Sequence, residues 1–323
     1  MAMTPGSASQ SQAIFDSFTM VFYIARSPAN RKRGGYLLMR HASAQLTVIK
    51  PGALGDTLLL APVLRALRES LPALEITIVG SMPAAGLLKL LGVADAVMAI
   101  DRFNLYAPTQ NEYDLLRGAQ VMVFVPLEKC VRKDLKNLAG AAAVVSYPSR
   151  NVQSGQHTAE YLHQCLRAFF PEIPDITNAP FRCPEVTCLA REKPYAILAP
   201  GAGSEAKRAP MAYFKAAAHA FGRQGLQPVF IAGEVEIARG LIRQYPCQYH
   251  CCVNPTLAEL AVLLQGASAV LANDSGPAHL AGMLGAATTV FFGPTDPDVW
   301  RPWGPRVSIR RMGNLDDDMA YQR

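Results

Sequence analysis

Long hydrophobic runs are absent: no apolar stretch of the 323-residue chain reaches the roughly 18–20 residues that span a bilayer. Residues 13–25 are moderately apolar, but Asp16 interrupts them and the basic residues follow rather than precede. That is the wrong order for a secretory signal. No C-x-x-C pair occurs either. The seven cysteines, at 130, 165, 183, 188, 247, 251 and 252, are odd in number, which argues for free thiols in a reducing compartment. The cluster Cys247, His250, Cys251, Cys252 is too cramped for a usual zinc knuckle and reads as ordinary loop or strand. A basic body is missing too. Net charge is +6, yet residues 1–45 hold Arg26, Arg31, Lys32, Arg33 and Arg40 against Asp16 alone, so +4 sits in this leader. The remainder carries +2, which leaves no case for nucleic-acid binding. The leader reads as a disordered extension, with contact between its arginines and acidic headgroups as the other reading.

What remains is half hydrophobic and 17% charged, a soluble chain long enough for two cored domains. Folding is expected from about residue 46. Leu46–Ile49 is a short β-rich run, followed by the loop Lys50-Pro-Gly-Ala-Leu-Gly-Asp56 and a helical pattern over 57–71. Strands are expected at 76–79, 96–100, 121–125 and 142–146, with helices at 84–91 and 156–170. Prolines 171, 174, 180, 184 and 194 mark a linker. The alternation then restarts: strand 195–199, loop 200–210, helix 211–224, strand 228–232, helices 237–245 and 256–265, strand 267–272, and strand 288–292. Alternating strands and helices imply parallel, doubly wound sheets. The expected division is a leader over 1–45, an N-terminal Rossmann-like domain over 46–180, and a C-terminal Rossmann-like domain over 181–323.

Leu271-Ala-Asn-Asp-Ser-Gly-Pro-Ala-His279 runs from the end of a buried strand into a helix with Pro277 near its first turn. Asp274, Ser275 and Gly276 form the elbow between them, with a capping side chain expected there. Free helix-start amides and the positive helix end suit an anion, most naturally a phosphate, and His279 can add a donor. Two further glycine-bearing loops also follow strands. Neither 50–56 nor Pro200-Gly201-Ala-Gly203-Ser204 completes a dinucleotide or P-loop fingerprint, which counts against a nicotinamide-dependent oxidoreductase. Lys207 and Arg208 place positive charge where a diphosphate can lie. Asp56 is either a helix cap or a general base for an acceptor hydroxyl. Glu234 and Glu236 follow a strand end where ribose hydroxyls are met, or else sit at a helix start favoured by its dipole. Asp296-Pro-Asp298 reads as a turn rather than a metal-binding pair.

Gly55-Asp56 with Leu60-Ala-Pro62, Pro200-Gly-Ala-Gly-Ser with Lys207-Arg208, Asn273-Asp-Ser-Gly-Pro-Ala-His279 and Phe292-Gly-Pro-Thr-Asp-Pro297 occur in this order. Together, over about residues 46–305, they resemble glycosyltransferase family 9, the ADP-heptose:lipopolysaccharide heptosyltransferases. The resemblance implies an α/β GT-B fold, two Rossmann-like domains facing across a cleft, the N-terminal one for the acceptor and the C-terminal one for the nucleotide sugar, and inverting transfer without metal or cofactor. The donor would be ADP-heptose or a similar nucleotide sugar. The acceptor would be a lipid-anchored lipopolysaccharide core precursor at the cytoplasmic face of the inner membrane, with the enzyme cytoplasmic or peripheral. It further implies Asp56 as base, Lys207 at the diphosphate, and Glu236 at the nucleoside. Asp274, Ser275, Gly276 and His279 would meet sugar and phosphate, and Gly201, Gly203 and Ser204 would complete the donor loop. Two features depart from the family: Arg208-Ala-Pro210 stands where an aromatic residue usually follows the lysine, and the chain ends early after Pro305. A catalytically impaired member that binds nucleotide sugar without closing is the alternative this shortening raises.

Overall fold

The computed structural model describes residues 45–104, 109–125, 133–134, 136–137, 140–149, 155–183 and 193–312, all within one compact unit. The leader up to residue 44 and the acidic tail at Asp316–Asp318 lie outside the described residues, as do Cys130 and Cys188. Two wholly parallel sheets organise the chain. The first comprises β1 (Gln45–Lys50), β2 (Glu75–Gly80), β3 (Ala96–Ala99), β4 (Gln120–Val123) and β5 (Ala143–Ser146), in the order β3-β2-β1-β4-β5. The second comprises β6 (Tyr195–Ala199), β7 (Gln227–Ala232), β8 (His250–Val253), β9 (Ala269–Asn273), β10 (Thr288–Phe292) and β11 (Val307–Arg311), in the order β11-β10-β9-β6-β7-β8. Each sheet starts in the middle and reverses direction once, which is the doubly wound order. The reversal falls between β1 and β4 in the first sheet and between β6 and β9 in the second.

Burial follows from position in the sheet. The central strands β1, β6 and β9 are buried along almost their whole length, whereas β3, β5, β8 and β11 at the edges are half-exposed. A strand covered on both faces needs a continuous apolar run, and an edge strand does not.

The helix expected over 57–71 is two. Helix α1 (Leu54–Leu58) is separated from α2 (Ala61–Ser70) by Leu59 and Leu60, with Pro62 in the first turn of α2. Asp56 therefore lies inside α1, not in the preceding loop. Leu58, Leu59 and Leu60 are all fully buried, because this corner faces the second half of the molecule as well as its own sheet. The helix expected over 237–245 is also broken: α7 (Glu234–Ala238) stops short of Gly240, whose φ of +65° reverses the chain into a 3-10 turn at Leu241–Gln244. Further helices are α3 (Met82–Leu90), α4 (Gln110–Leu116), α5 (Thr158–Arg167), α6 (Met211–Arg223), α8 (Leu257–Gln265), α9 (Gly276–Met283) and α10 (Pro297–Trp300).

The described part of the proline-rich stretch, 171–183, has no regular structure but is firmly packed. Arg65 of α2 donates to the carbonyls of Ala179 (2.8 Å) and Thr177 (2.9 Å) and stacks on Phe181, 4.1 Å from its ring centre. The Phe181 amide donates to the carbonyl of Met283, and Trp303 Nε1 donates to that of Thr177. The stretch thus ties α2 to the end of α9. One continuous apolar core carries the same connection, including Leu60, Leu64 and Leu67 from the first half and Leu260, Leu264 and Leu280 from the second. Among the described residues no helix is long and apolar enough to cross a membrane.

Candidate active site

Both reversal points carry the loops singled out in the sequence, and ligands of open α/β sheets bind where strand order reverses. In the second sheet the loops after β6, β9 and β10 converge on one carboxylate. Asn273, fully buried at the end of β9, accepts a hydrogen bond from the Ala209 amide (3.0 Å) and donates to the Pro200 carbonyl (2.7 Å). Those two bonds hold loop 200–209 over the strand end. Asp274 follows at 5% exposure. Lys207 Nζ stands 2.8 Å from its Oδ2, Thr295 Oγ1 2.6 Å from the same oxygen, and His279 Nε2 3.8 Å from Oδ1. Burial pushes the Asp274 carboxyl up, but the contacts from His279, Lys207 and Thr295 outweigh it and hold it down at about 2.

The capping side chain expected at the elbow is not present. Ser275 occupies the N-cap of α9 without a side-chain cap bond, and its hydroxyl donates instead to the Asn273 carbonyl (3.0 Å). Asp274 cannot cap because its oxygens are taken. The first-turn amides of Gly276 and Ala278 accordingly have no carbonyl within the helix to bond. Helix α9 is buried from Ala278 to Met283, as a helix apolar on every side must be.

The residues that the resemblance assigns to the nucleoside meet across the neighbouring strand. Glu236, in the first turn of α7, accepts from the Gly233 amide (2.9 Å). Its carboxylate covers Gly201 so closely that a Cβ there would lie 2.1 Å from Oε1. Gly203 is exposed, and its carbonyl accepts from Arg239 (3.3 Å). Ser204 precedes the 3-10 turn Glu205–Lys207 with no side-chain cap bond. Among the described residues Arg208 pairs with the exposed Glu205, at 3.6 Å, and its Nη1 is buried without a hydrogen-bond partner. Lys207 gives one of its three donors to Asp274, so both cations keep donors for an anion.

Asp56 sits on the facing element. The helix-cap alternative for it does not hold: the N-cap of α1 is Ala53, with no side-chain bond, and Asp56 lies in the first turn. Among the described residues its carboxylate makes no hydrogen bond or ion pair. Helix α1 packs directly against α9, in a reciprocal fit. A Cβ at Gly55 would lie 2.7 Å from Cδ2 of the buried His279 ring, and one at Gly276 would lie 2.5 Å from Cδ2 of Leu54. The candidate base is thus one residue from the contact with the candidate donor elbow.

Sequence reasoning did not single out Thr295, although it lies in the quoted Phe-Gly-Pro-Thr-Asp-Pro run. Leu54 and Lys50 were likewise passed over within the loop of Asp56. Lys50 ends β1 at 1% exposure, and a lysine inside a buried strand run was the available signal. Where a turn was expected, Asp296 instead caps the short helix α10 by accepting from the Asp298 amide. Cys247, Cys251 and Cys252 are free thiols, as expected. Among the described residues no group of three His, Cys, Asp or Glu side chains is placed to hold a metal ion.

Two Rossmann-ordered sheets joined at their reversal points define an α/β protein of GT-B architecture, the class of nucleotide-sugar glycosyltransferases. Solved structures share it. A glycosyl transferase family 9 protein from Veillonella parvula DSM 2008 is 17% identical, with a TM-score of 0.65, covering 87% of this chain and 89% of that one. E. coli heptosyltransferase WaaC with ADP is 16% identical, with a TM-score of 0.64, covering 86% and 100%. E. coli ADP-heptose lps heptosyltransferase II is 17% identical, with a TM-score of 0.63, covering 82% and 90%. No curated protein matches in sequence. The model of glycosyltransferase family 9 (heptosyltransferase) matches residues 131–319. The chain belongs to that family and is a glycosyltransferase.

Proposed function

We propose that the protein transfers heptose, or a related sugar, from an ADP-activated donor to a lipopolysaccharide core precursor, with inversion and without a metal. The observation that carries this reading is the apposition of α1 and α9, which sets an unpaired carboxylate beside a helix start and a basic loop. In the reaction the acceptor hydroxyl attacks the anomeric carbon from the face opposite the diphosphate. Its proton passes to Asp56, a bond forms from the acceptor oxygen to that carbon, and the bond to the diphosphate oxygen breaks. Lys207, Arg208 and the open amides of α9 stabilise the departing ADP, with Ser275, His279 and Asp274 ordering that surface. Glu236, held against Gly201, receives the ribose hydroxyls, and Gly203 and Ser204 line the donor loop. One activating carboxylate suffices because no covalent sugar–enzyme intermediate is formed. The lipid-linked acceptor places the protein at the cytoplasmic face of the inner membrane, in peripheral contact.

A donor screen of ADP-heptose against UDP- and GDP-sugars with lipopolysaccharide acceptors tests this. Transfer from ADP-heptose is expected, and Asp56→Ala should abolish it, by about 100-fold or more, while ADP binding persists. Equal loss of transfer and ADP affinity would remove Asp56 from the role of base. Binding of ADP-heptose without product would favour the impaired binding module. The family assignment leaves the nicotinamide alternative without support.

A further inference from the structure

Gly52 lies in the loop between β1 and α1, exposed, with a φ of +154°. Glycine takes up such a backbone freely, and its missing side chain also leaves space. At Gly55 a Cβ would run into His279, but at Gly52 it would meet no atom closer than 3.4 Å among the described residues, its chain neighbours apart. The nearest would be Cβ of Asp56 at 3.4 Å, Oδ2 of Asp56 at 3.6 Å and Oγ1 of Thr57 at 3.8 Å. The open space beside Gly52 is therefore bordered by oxygens from successive residues of α1.

Neither oxygen is committed elsewhere. The Asp56 carboxylate makes no hydrogen bond or ion pair among the described residues. Thr57 is 0% exposed, and its Oγ1 is buried without a hydrogen-bond partner. A threonine inside a helix ordinarily turns its hydroxyl to a carbonyl one turn back. Here the Ala53 carbonyl accepts from the Thr57 amide, at 3.1 Å, and not from Oγ1. A buried hydroxyl without a partner has lost its bonds to water and gained none in return. A guest that both donates and accepts would satisfy the pair, its proton meeting the carboxylate and its lone pair the threonine O–H. A sugar hydroxyl is such a group.

We propose that the space beside Gly52 seats the attacking hydroxyl of the acceptor, which donates to Oδ2 of Asp56 and accepts from Oγ1 of Thr57. Gly52 keeps the seat open. Thr57 holds the oxygen while its other lone pair faces the anomeric carbon, and the proton leaves to Asp56 as the new bond forms. The proposal rests on the reading of Asp56 as the base.

Gly52→Ala, Thr57→Val and Thr57→Ser test it in the full-length enzyme, with Asp56→Asn assayed alongside. A methyl group in the seat should lower acceptor kcat/KM about 100-fold, as a misplacement near 1 Å does, while ADP affinity stays within about twofold. Alanine also strains the backbone at this φ, so ADP release to water without acceptor is measured in parallel. Water can approach Oδ2 from another side, and the ratio of sugar transfer to that release should fall about 100-fold. Thr57→Val keeps the shape and removes one hydrogen bond, which should lower acceptor kcat/KM about 3- to 10-fold. Its thermal midpoint should hold or rise, since no unbonded hydroxyl remains. Thr57→Ser restores the hydroxyl and should recover most of the loss. Transfer at the wild-type rate in Gly52→Ala or in Thr57→Val would overturn the proposal. So would an unchanged ratio of transfer to ADP release in Gly52→Ala, which would mean that loop strain had moved the base. Thr57→Ser as slow as Thr57→Val would overturn it too, because shape rather than the hydroxyl would then matter. If Asp56→Asn keeps full turnover, the base assignment itself fails, whatever the other variants do.

Discussion

Removing the ammonium of Lys207 does two things at once. It takes away a cation that ADP can use, and it leaves the Asp274 carboxylate, 5% exposed, short of its closest charged partner. Breaking such a pair costs about 3 kcal/mol, the low end for a buried pair because Lys207 keeps contact with water. Lys207→Met should therefore lose both stability and ADP affinity. In Lys207→Met/Asp274→Asn the stability should largely return, since no unpaired charge remains, while ADP binding stays weak. Denaturant melts and calorimetric ADP titrations of the two variants decide the point. Restored affinity in the double variant would mean that Lys207 acts only through Asp274. The sequence made Lys207 and Asp274 legible as separate residues near an anion. Their pairing, across 67 positions of chain, depends on Asn273 fastening loop 200–209 over β9, and no local pattern encodes a side-chain bond of that kind.

Among the elements, those with strong periodicity were legible and those shaped by their surroundings were not. Strands β1, β2, β6, β7, β9 and β10 are apolar runs because neighbours cover both faces. Strands β8 and β11, His-Cys-Cys-Val and Val-Ser-Ile-Arg-Arg, sit at opposite edges of the second sheet. The edge strands β3 and β5, Ala-Val-Met-Ala and Ala-Val-Val-Ser, kept an apolar run and stood out, whereas the polar residues of β8 and β11 break theirs. Helix α4 is polar along most of its length and starts on a capping box formed by Thr109 and Glu112, a signature that sequence reasoning overlooked. Helix α5 shows what an element can do beyond its own sheet. Its N-cap His157 accepts from the Ala159 amide through Nδ1 (3.1 Å) and bonds the Arg301 carbonyl through Nε2 (2.9 Å), which requires the neutral ring with its proton on Nε2. Burial pushes the imidazole down to about 4, helped by the charges of Arg301 and His279 and opposed by the bond to the Arg301 carbonyl. The unfolded chain takes up the proton near 6.5 and the folded one resists until about 4, so stability is full above that upper value and lost as pH falls between the two. The loss amounts to about 3 kcal/mol. Denaturant melts from pH 7 to pH 4 should show it in the wild type and not in His157→Gln, which lacks the titrating ring. Parallel pH profiles for the two would refute this account.

For the molecule as a whole, the two sheets were foreseeable from alternation alone, but the way they meet was not. The joint is made by glycines that read in sequence as loop residues. Gly55 has an ordinary backbone conformation; what it supplies is room. His279 fills that room with a ring at 4% exposure, hemmed by α9 and Asp274, so it has little freedom to yield. Leu54 over Gly276 is half-buried, but a Cβ at Gly276 would meet its Cγ at 3.0 Å and its Cβ at 3.1 Å as well as its Cδ2, and no rotamer moves Cβ away. A methyl group at either position should therefore push the two helices apart. Gly55→Ala forces α1 off α9 and costs about 1–3 kcal/mol of stability through overpacking. Asp56 moves with it, and a displacement near 1 Å lowers turnover about 100-fold. ADP affinity should fall much less, because Lys207, Glu236 and the α9 amides all belong to the second half. Gly276→Ala presses on Leu54 of the same α1 and should cost stability on the same scale. Turnover and ADP titration of Gly55→Ala, Gly276→Ala and wild type measure both effects. If Gly55→Ala transfers sugar as fast as wild type, the contact between α1 and α9 is not what aligns base and donor, and the joint is scaffolding alone.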